Sequence, residues 1–135
     1  MGQTGVILLD THVVAWLAFE PARISAKARA AIDDARKSGD GLAICDITLF
    51  ELAALARKGR IRLGISIQSF LEEIEARFVV LPMSGRTCAR AVELPAAYPR
   101  DPADRVIGAT ALVEGLPLIT ADRNIRRSKI VRTVW

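Results

Sequence analysis

The chain has one histidine, His12, and two cysteines, Cys45 and Cys88, in 135 residues. Two cysteines are too few for a secreted disulfide framework and match no metal-site spacing, so a reducing, cytoplasmic setting is expected. A single histidine excludes any two-histidine cleavage mechanism. Long apolar runs are also missing: the longest, residues 13–19, is far short of a membrane span. No basic stretch precedes the first apolar residues, so no secretory signal is expected. Aromatic residues are only 5%, which argues against a stacking platform for bases. Charge of one sign is scarce in excess. Lys plus Arg number 19 against 15 Asp plus Glu, and the net +4 permits an anionic partner without requiring one. No GxxxxGK[ST], GxGxxG or GxSxG motif occurs, which removes the P-loop, dinucleotide and nucleophile-elbow classes.

What is present is ordinary globular composition, 51% hydrophobic and 25% charged, at the length of one domain spanning 1–135. Short apolar runs at 6–9, 42–45, 78–81, 118–120 and 130–134 read as buried strands. Between them lie helical stretches. One runs from Thr11 to Phe19, and one opens at Ser25 with Ile24, Ala28, Ala31, Ile32 and Ala35 on a face. Another follows Asp46, which is placed to cap it, and ends at Gly59. Ile67, Phe70, Leu71 and Ile74 form an amphipathic stripe. A weaker helix covers 84–94. Asp101-Pro102 opens the next, with Val106, Ala109, Thr110 and Val113 as its expected apolar face. A short turn covers 123–127. Strands alternating with helices predict an α/β sandwich around a mostly parallel sheet.

The informative feature is where the acids fall. Asp10 ends the first strand, and Asp122 stands just past the fourth. Glu51 lies in the first turns of the helix leaving the second strand. Asp101 and Asp104 open the helix leading into the fourth. In a parallel sheet the strand C-termini share one edge, where such folds bind ligands. Each acid also has a purely structural reading: Asp10, Asp46, Asp101 and Asp122 as N-caps, and Thr48-x-x-Glu51 and Asp101-x-x-Asp104 as capping boxes. Gathered together, they need more explanation. Two carboxylates about 6 Å apart at an effective dielectric of about 20 repel by about 3 kcal/mol. A cluster therefore calls for a cation or for protonation, and an all-oxygen donor set suits Mg²⁺ or Mn²⁺ over Zn²⁺.

Five fragments recur in order: Leu8-Leu9-Asp10-Thr11-His12, Ile47-Thr48-Leu49-Phe50-Glu51-Leu52, Gly59-Arg60-Ile61, Asp101-Pro102-Ala103-Asp104-Arg105 and Thr120-Ala121-Asp122. With the ending Val131-Arg132-Thr133-Val134-Trp135, they resemble the PIN-domain ribonucleases of VapC type, toxins of type II toxin-antitoxin systems. The resemblance implies a PIN-like three-layer sandwich whose mostly parallel sheet of about five strands is flanked by helices. It implies an Mg²⁺- or Mn²⁺-dependent endoribonuclease, leaving 5′-phosphate and 3′-hydroxyl ends, inhibited by a VapB-like antitoxin. Carried over to this chain, the metal and catalytic acids are Asp10, Glu51, Asp104 and Asp122. Asp10 and Asp104 are the expected direct ligands, Asp122 completes the site directly or through water, and Glu51 ligates or orients the water. Thr11, Thr120 and Asp101 are expected to support them. One departure is visible: many relatives carry His where this chain has Pro99.

Setting aside the four site acids leaves 11 negative residues against 19 positive, a balance of +8 that suits an RNA substrate. One basic cluster comprises Arg57, Lys58, Arg60 and Arg62. A second, Arg123, Arg126, Arg127 and Lys129 with Arg132, follows Asp122 directly and is the expected RNA-binding surface. Val13, Val14, Trp16, Leu17 and Phe19 exceed what one buried helix face needs. Most are expected in the core; the resemblance implies that the surplus forms a groove for an antitoxin helix or a second copy of the chain, as a homodimer or larger complex. The competing readings are non-catalytic: a receiver-like α/β metal-binding module, or a degenerate PIN domain that binds RNA or antitoxin. A receiver-like site wants paired acids near the N-terminus and a Lys beyond a later strand. This chain offers a single Asp10 and no Lys near Asp122.

Overall fold

A computed structural model describes residues 5–135; residues 1–4 of the expected domain lie outside it. Five strands, β1 (Ile7–Leu9), β2 (Leu42–Cys45), β3 (Val79–Leu81), β4 (Leu118–Ile119) and β5 (Thr133–Val134), form one sheet in the order β3-β2-β1-β4-β5. Every neighbouring pair is parallel. The helices are α1 (Thr11–Phe19), α2 (Ala26–Lys37), α3 (Asp46–Arg57), α4 (Ile67–Arg77), α5 (Gly85–Glu93), α6 (Pro102–Glu114) and α7 (Arg123–Ser128). The expected α/β sandwich is the fold observed.

Strand alternation divides the interior into two cores. Ile7, Leu9, Leu42, Ile44 and Ile119 point to one face, where they meet α1, α2 and α4 through Val14, Ile32, Phe70 and Ile74. Leu8, Ala43, Cys45 and Leu118 point to the other, against Ile107, Ala111, Tyr98 and Ile125. Burial pushes the Cys45 thiol above its ordinary range. Serine caps start three of the helices: Ser25, Ser66 and Ser84 each accept the N–H three residues on.

Several local expectations are corrected. α3 begins at Asp46 itself, behind Cys45, so Asp46 is not its cap. The Asp46 carboxylate instead accepts the Met83 N–H at 3.0 Å, tying the end of β3 to α3. Thr48 and Glu51 both lie inside α3 and form no capping box, because the Thr48 hydroxyl is turned to Thr11. In α6 Ala109 and Thr110 are buried as expected, but Ile107 and Ala111 are buried too, while Val106 and Val113 are only partly buried. This helix is buried on more than one side, so an amphipathic stripe is a poor guide to its orientation. Pro21–Arg23 adds a 3₁₀ turn. Val13 and Val14 belong to the core, Trp16 and Leu17 pack partly against it, and Phe19 stays exposed.

Candidate active site

The chain runs from β1 outward to β2 and β3, then crosses back to place β4 on the other side of β1. The boundary of β1 and β4 is therefore the topological switch point, where the connections diverge and leave a crevice at the strand C-termini. Asp10 stands there at the end of β1, and Asp122 two residues past Thr120 beside it.

Asp10 is almost wholly buried and fully bonded. Its Oδ1 accepts the Thr11 N–H at 2.8 Å, capping α1, and its Oδ2 accepts the Thr120 hydroxyl at 2.8 Å. The Thr120 oxygen in turn accepts the Asp122 N–H at 3.1 Å. Glu51, on the second turn of α3, accepts the Thr11 hydroxyl at 2.5 Å. The single Thr11 proton is spent there, so the Thr48 hydroxyl 3.0 Å away must donate to Thr11. Thr48, fully buried, is legible in the sequence only as half of a capping box with Glu51; its part in orienting Thr11 is not.

Asp104 sits in the first turn of α6, behind the Asp101 cap whose Oδ1 accepts the Asp104 N–H at 3.0 Å. Arg105 fixes this helix against the preceding segment by donating to the carbonyls of Leu94 (2.9 Å), Ala91, Tyr98 and Pro95. Partial burial, then the charges of Asp10, Asp101, Asp122 and Glu51, push the Asp104 carboxyl up to about 7. Glu51 is raised as well, by burial and by Asp10 and Asp101, against the lowering effect of its bond from Thr11.

Asp10, Glu51 and Asp104, carried by three separate elements, line one open cleft of about 360 Å³ with Thr11, His12 and Lys58. Asp122 contributes its charge to Asp104, while its carboxylate caps α7 by accepting the Asn124 and Ile125 N–H groups. Among the described residues no Lys or Arg is paired with any of these four acids. No three His, Cys, Asp or Glu side chains among them already enclose a single point. Crowded oxygen donors, one of them driven toward neutrality by burial and then by its acidic neighbours, fit a hard divalent cation as the missing counter-charge.

His12, the lone histidine, has a structural part the sequence did not show. Its Nε2 accepts the Ala121 N–H at 3.0 Å, which places the ring proton on Nδ1, facing Asp10 Oδ2 at 3.8 Å. Burial, outweighing the raising effect of Asp10, lowers its pKa and favours this neutral form. The imidazole thereby stitches the end of β4 to α1. Arg123, Arg126, Arg127 and Lys129 line one shallow exposed depression beside Asp122. Pro99 lies with Arg100 and Arg127 in a different depression from the carboxylate cleft.

A family model described as the PIN domain matches residues 7–130. The chain belongs to the PIN-domain family. It is 42% identical over 131 residues to Ribonuclease VapC22 of Mycobacterium tuberculosis, covering 96% of this chain and 98% of that one. The fold matches the structure of VapBC2 from Rickettsia felis bound to a promoter DNA fragment, with a TM-score of 0.71 and 16% identity over 95% of this chain and 96% of that one. DNA-bound VapBC from Salmonella typhimurium gives a TM-score of 0.70 and 21% identity, over 94% and 95% of the two chains. The PIN domain is a nuclease fold, in general dependent on a divalent metal. Among the described residues no helix is long and apolar enough to cross a membrane.

Proposed function

We propose that this chain is a divalent-metal-dependent endoribonuclease acting in the cytoplasm as the toxin of a VapBC-type pair, its residues 1–135 forming one PIN-like domain. The observation that carries the reading is the convergence of Asp10, Glu51 and Asp104 on one cleft without a paired cation. Its relation to Ribonuclease VapC22 supports RNA as the substrate.

Asp10, Asp104, Asp122 and Glu51 would hold Mg²⁺ or Mn²⁺. When bound, the ion supplies positive charge that acidifies a water and offsets charge growing on the phosphodiester oxygens. The protein's own part is positioning. Thr120 and the Thr11 N–H each donate to one oxygen of Asp10 and so fix the orientation of its carboxylate at the cleft. The Thr48–Thr11 pair fixes Glu51, which would ligate the ion or accept a hydrogen bond from the attacking water. Asp101 caps α6 and so sets the direction of Asp104. Water attack at phosphorus with cleavage of the P–O3′ bond, the 3′-oxygen leaving and taking up a proton, gives a 5′-phosphate and a 3′-hydroxyl.

Exposed Arg123, Arg126, Arg127 and Lys129 hold the RNA backbone beside the cleft, a role that predicts weakening by added salt. The inhibiting partner is a VapB-like antitoxin, as the VapBC complexes of the same fold suggest. An apolar groove of about 510 Å³, bordered by Val14, Leu17, Leu42, Ile74 and the cations Arg36 and Arg77, suits an amphipathic helix with acidic flanks. Cleavage of RNA in Mg²⁺ or Mn²⁺ by Asp10→Asn tests the reading. Loss of cleavage by a variant that keeps its circular dichroism supports it, and undiminished cleavage removes Asp10 from the mechanism.

A further inference from the structure

Phe50 stands 71% exposed on α3, immediately before Glu51. A lone exposed apolar side chain is unremarkable in itself. What sets Phe50 apart is its place: it borders the same cleft as Asp10, Glu51 and Asp104, together with Ala54, Leu55 and Lys58. These residues share one helix face. Phe50, Ala54 and Lys58 follow the i, i+4, i+8 row, and Glu51 and Leu55 the row beside it. Lys58 lies about 12 Å from Phe50 along the axis, at the end of the helix. It is exposed, and no acid is paired with it among the described residues.

A strand whose phosphodiester lies at the carboxylates must put its bases elsewhere. Aromatic faces are the sequence-tolerant receptor for unstacked bases, and an ammonium is the matching partner for the next phosphate. We propose that Phe50 stacks the base flanking the scissile phosphate while Lys58 holds a neighbouring phosphate. The subsite selects single-stranded or bulged RNA at that position. One aromatic suffices here, so the scarcity of aromatics in the chain is no obstacle; it limits stacking to a single base. This inference rests on the reading of the carboxylate cleft as an RNA-cleaving site.

The test measures binding of a short fluorescein-labelled single-stranded RNA to the full chain carrying Asp104→Asn, so that turnover does not interfere. Phe50→Ala and Phe50→Leu are expected to weaken binding roughly 5- to 100-fold, and Phe50→Trp to retain it. A duplex of the same sequence should show no dependence on Phe50. Lys58→Gln should lower the salt slope by about 0.7. Equal affinity of the Leu and Trp variants for single-stranded RNA overturns the proposal. So does a duplex that depends on Phe50 as strongly as the single strand. If affinity is unchanged and Phe50→Leu turns a dimer into a monomer on sedimentation, the residue joins two copies of the chain instead. Should Asp104→Asn itself leave cleavage intact in the absence of other changes, the assignment of the acids fails, and the Phe50 comparison is still read from binding alone.

Discussion

The Thr120 hydroxyl donates to Asp10 Oδ2 at 2.8 Å, joining side chains 110 residues apart in sequence across the boundary of β1 and β4. The same oxygen receives the Asp122 N–H, so one hydroxyl sets the spacing of two strand ends that each carry an acid. Thr120→Val keeps the shape and removes the bond. Leaving buried Asp10 one donor short costs about 1–3 kcal/mol. Because the lost bond orients a proposed ligand, cleavage should fall roughly 10- to 100-fold. Thr120→Ser should recover most of the activity. Thermal melts and initial rates on the three proteins check this, and a Val variant as active as the parent contradicts it.

The raised Asp104 carboxyl makes a prediction about pH. In metal-free protein the folded state keeps a proton on Asp104 up to about pH 7, whereas the unfolded chain has released it in the ordinary carboxylate range. The folded state therefore binds more protons over this window. The stability present at low pH is lost as pH rises through about 7. The melting temperature of protein held in chelator should fall from about pH 5 to about pH 8 through this group, and added Mn²⁺ should counter the fall. Asp104→Asn should flatten the dependence and stabilise the metal-free protein near pH 8 by about 1 kcal/mol while abolishing cleavage. Melting curves in chelator read it directly. A parent whose pH profile matches that of Asp104→Asn contradicts the picture of crowded charge.

Tyr98 and Gly108 form a second, purely steric relation, one helical turn from Asp104. A Cβ at Gly108, one turn after Asp104, would overlap the Tyr98 hydroxyl and ring. Tyr98 is fully buried, and its hydroxyl has no hydrogen-bond partner among the described residues. Burial and the charges of Asp10, Asp104 and Asp122 drive its phenol pKa upward, so it remains neutral. Gly108→Ala should cost about 1–3 kcal/mol through overpacking. Tyr98→Phe removes the oxygen, so Gly108→Ala should cost less in that background, the difference being read as a coupling energy by denaturant unfolding. Strict additivity of the two changes rules out the contact.

Much of this molecule is legible in its sequence. The short apolar runs at 42–45 and 118–120 mark strands because both faces of a parallel sheet are buried, and the serines at 25 and 84 mark helix starts because a hydroxyl is the natural acceptor for orphan N–H groups. The acids at strand ends point to a shared edge, and the five ordered fragments add the family. What stays hidden is tertiary. Nothing local distinguishes Asp46 as a cap from Asp46 as a tether for Met83, since both need only a carboxylate near a helix start. The reach of Thr48 to Thr11, and of His12 to Ala121, depends on how α3 and β4 pack against α1. The α6 stripe captures Ala109 and Thr110 but misses Ile107 and Ala111, because that helix is enclosed on more than one side. Phe50 could be counted from sequence, but only the fold shows it at the rim of the cleft.

The central claim is that acids from separate elements bind one divalent cation, and calorimetric titration of Mn²⁺ into the full chain addresses it most directly. Saturable binding by the parent is predicted, weakened at least about tenfold in both Asp10→Asn and Asp104→Asn. Folded variants that bind Mn²⁺ with the parent's affinity and stoichiometry would contradict it.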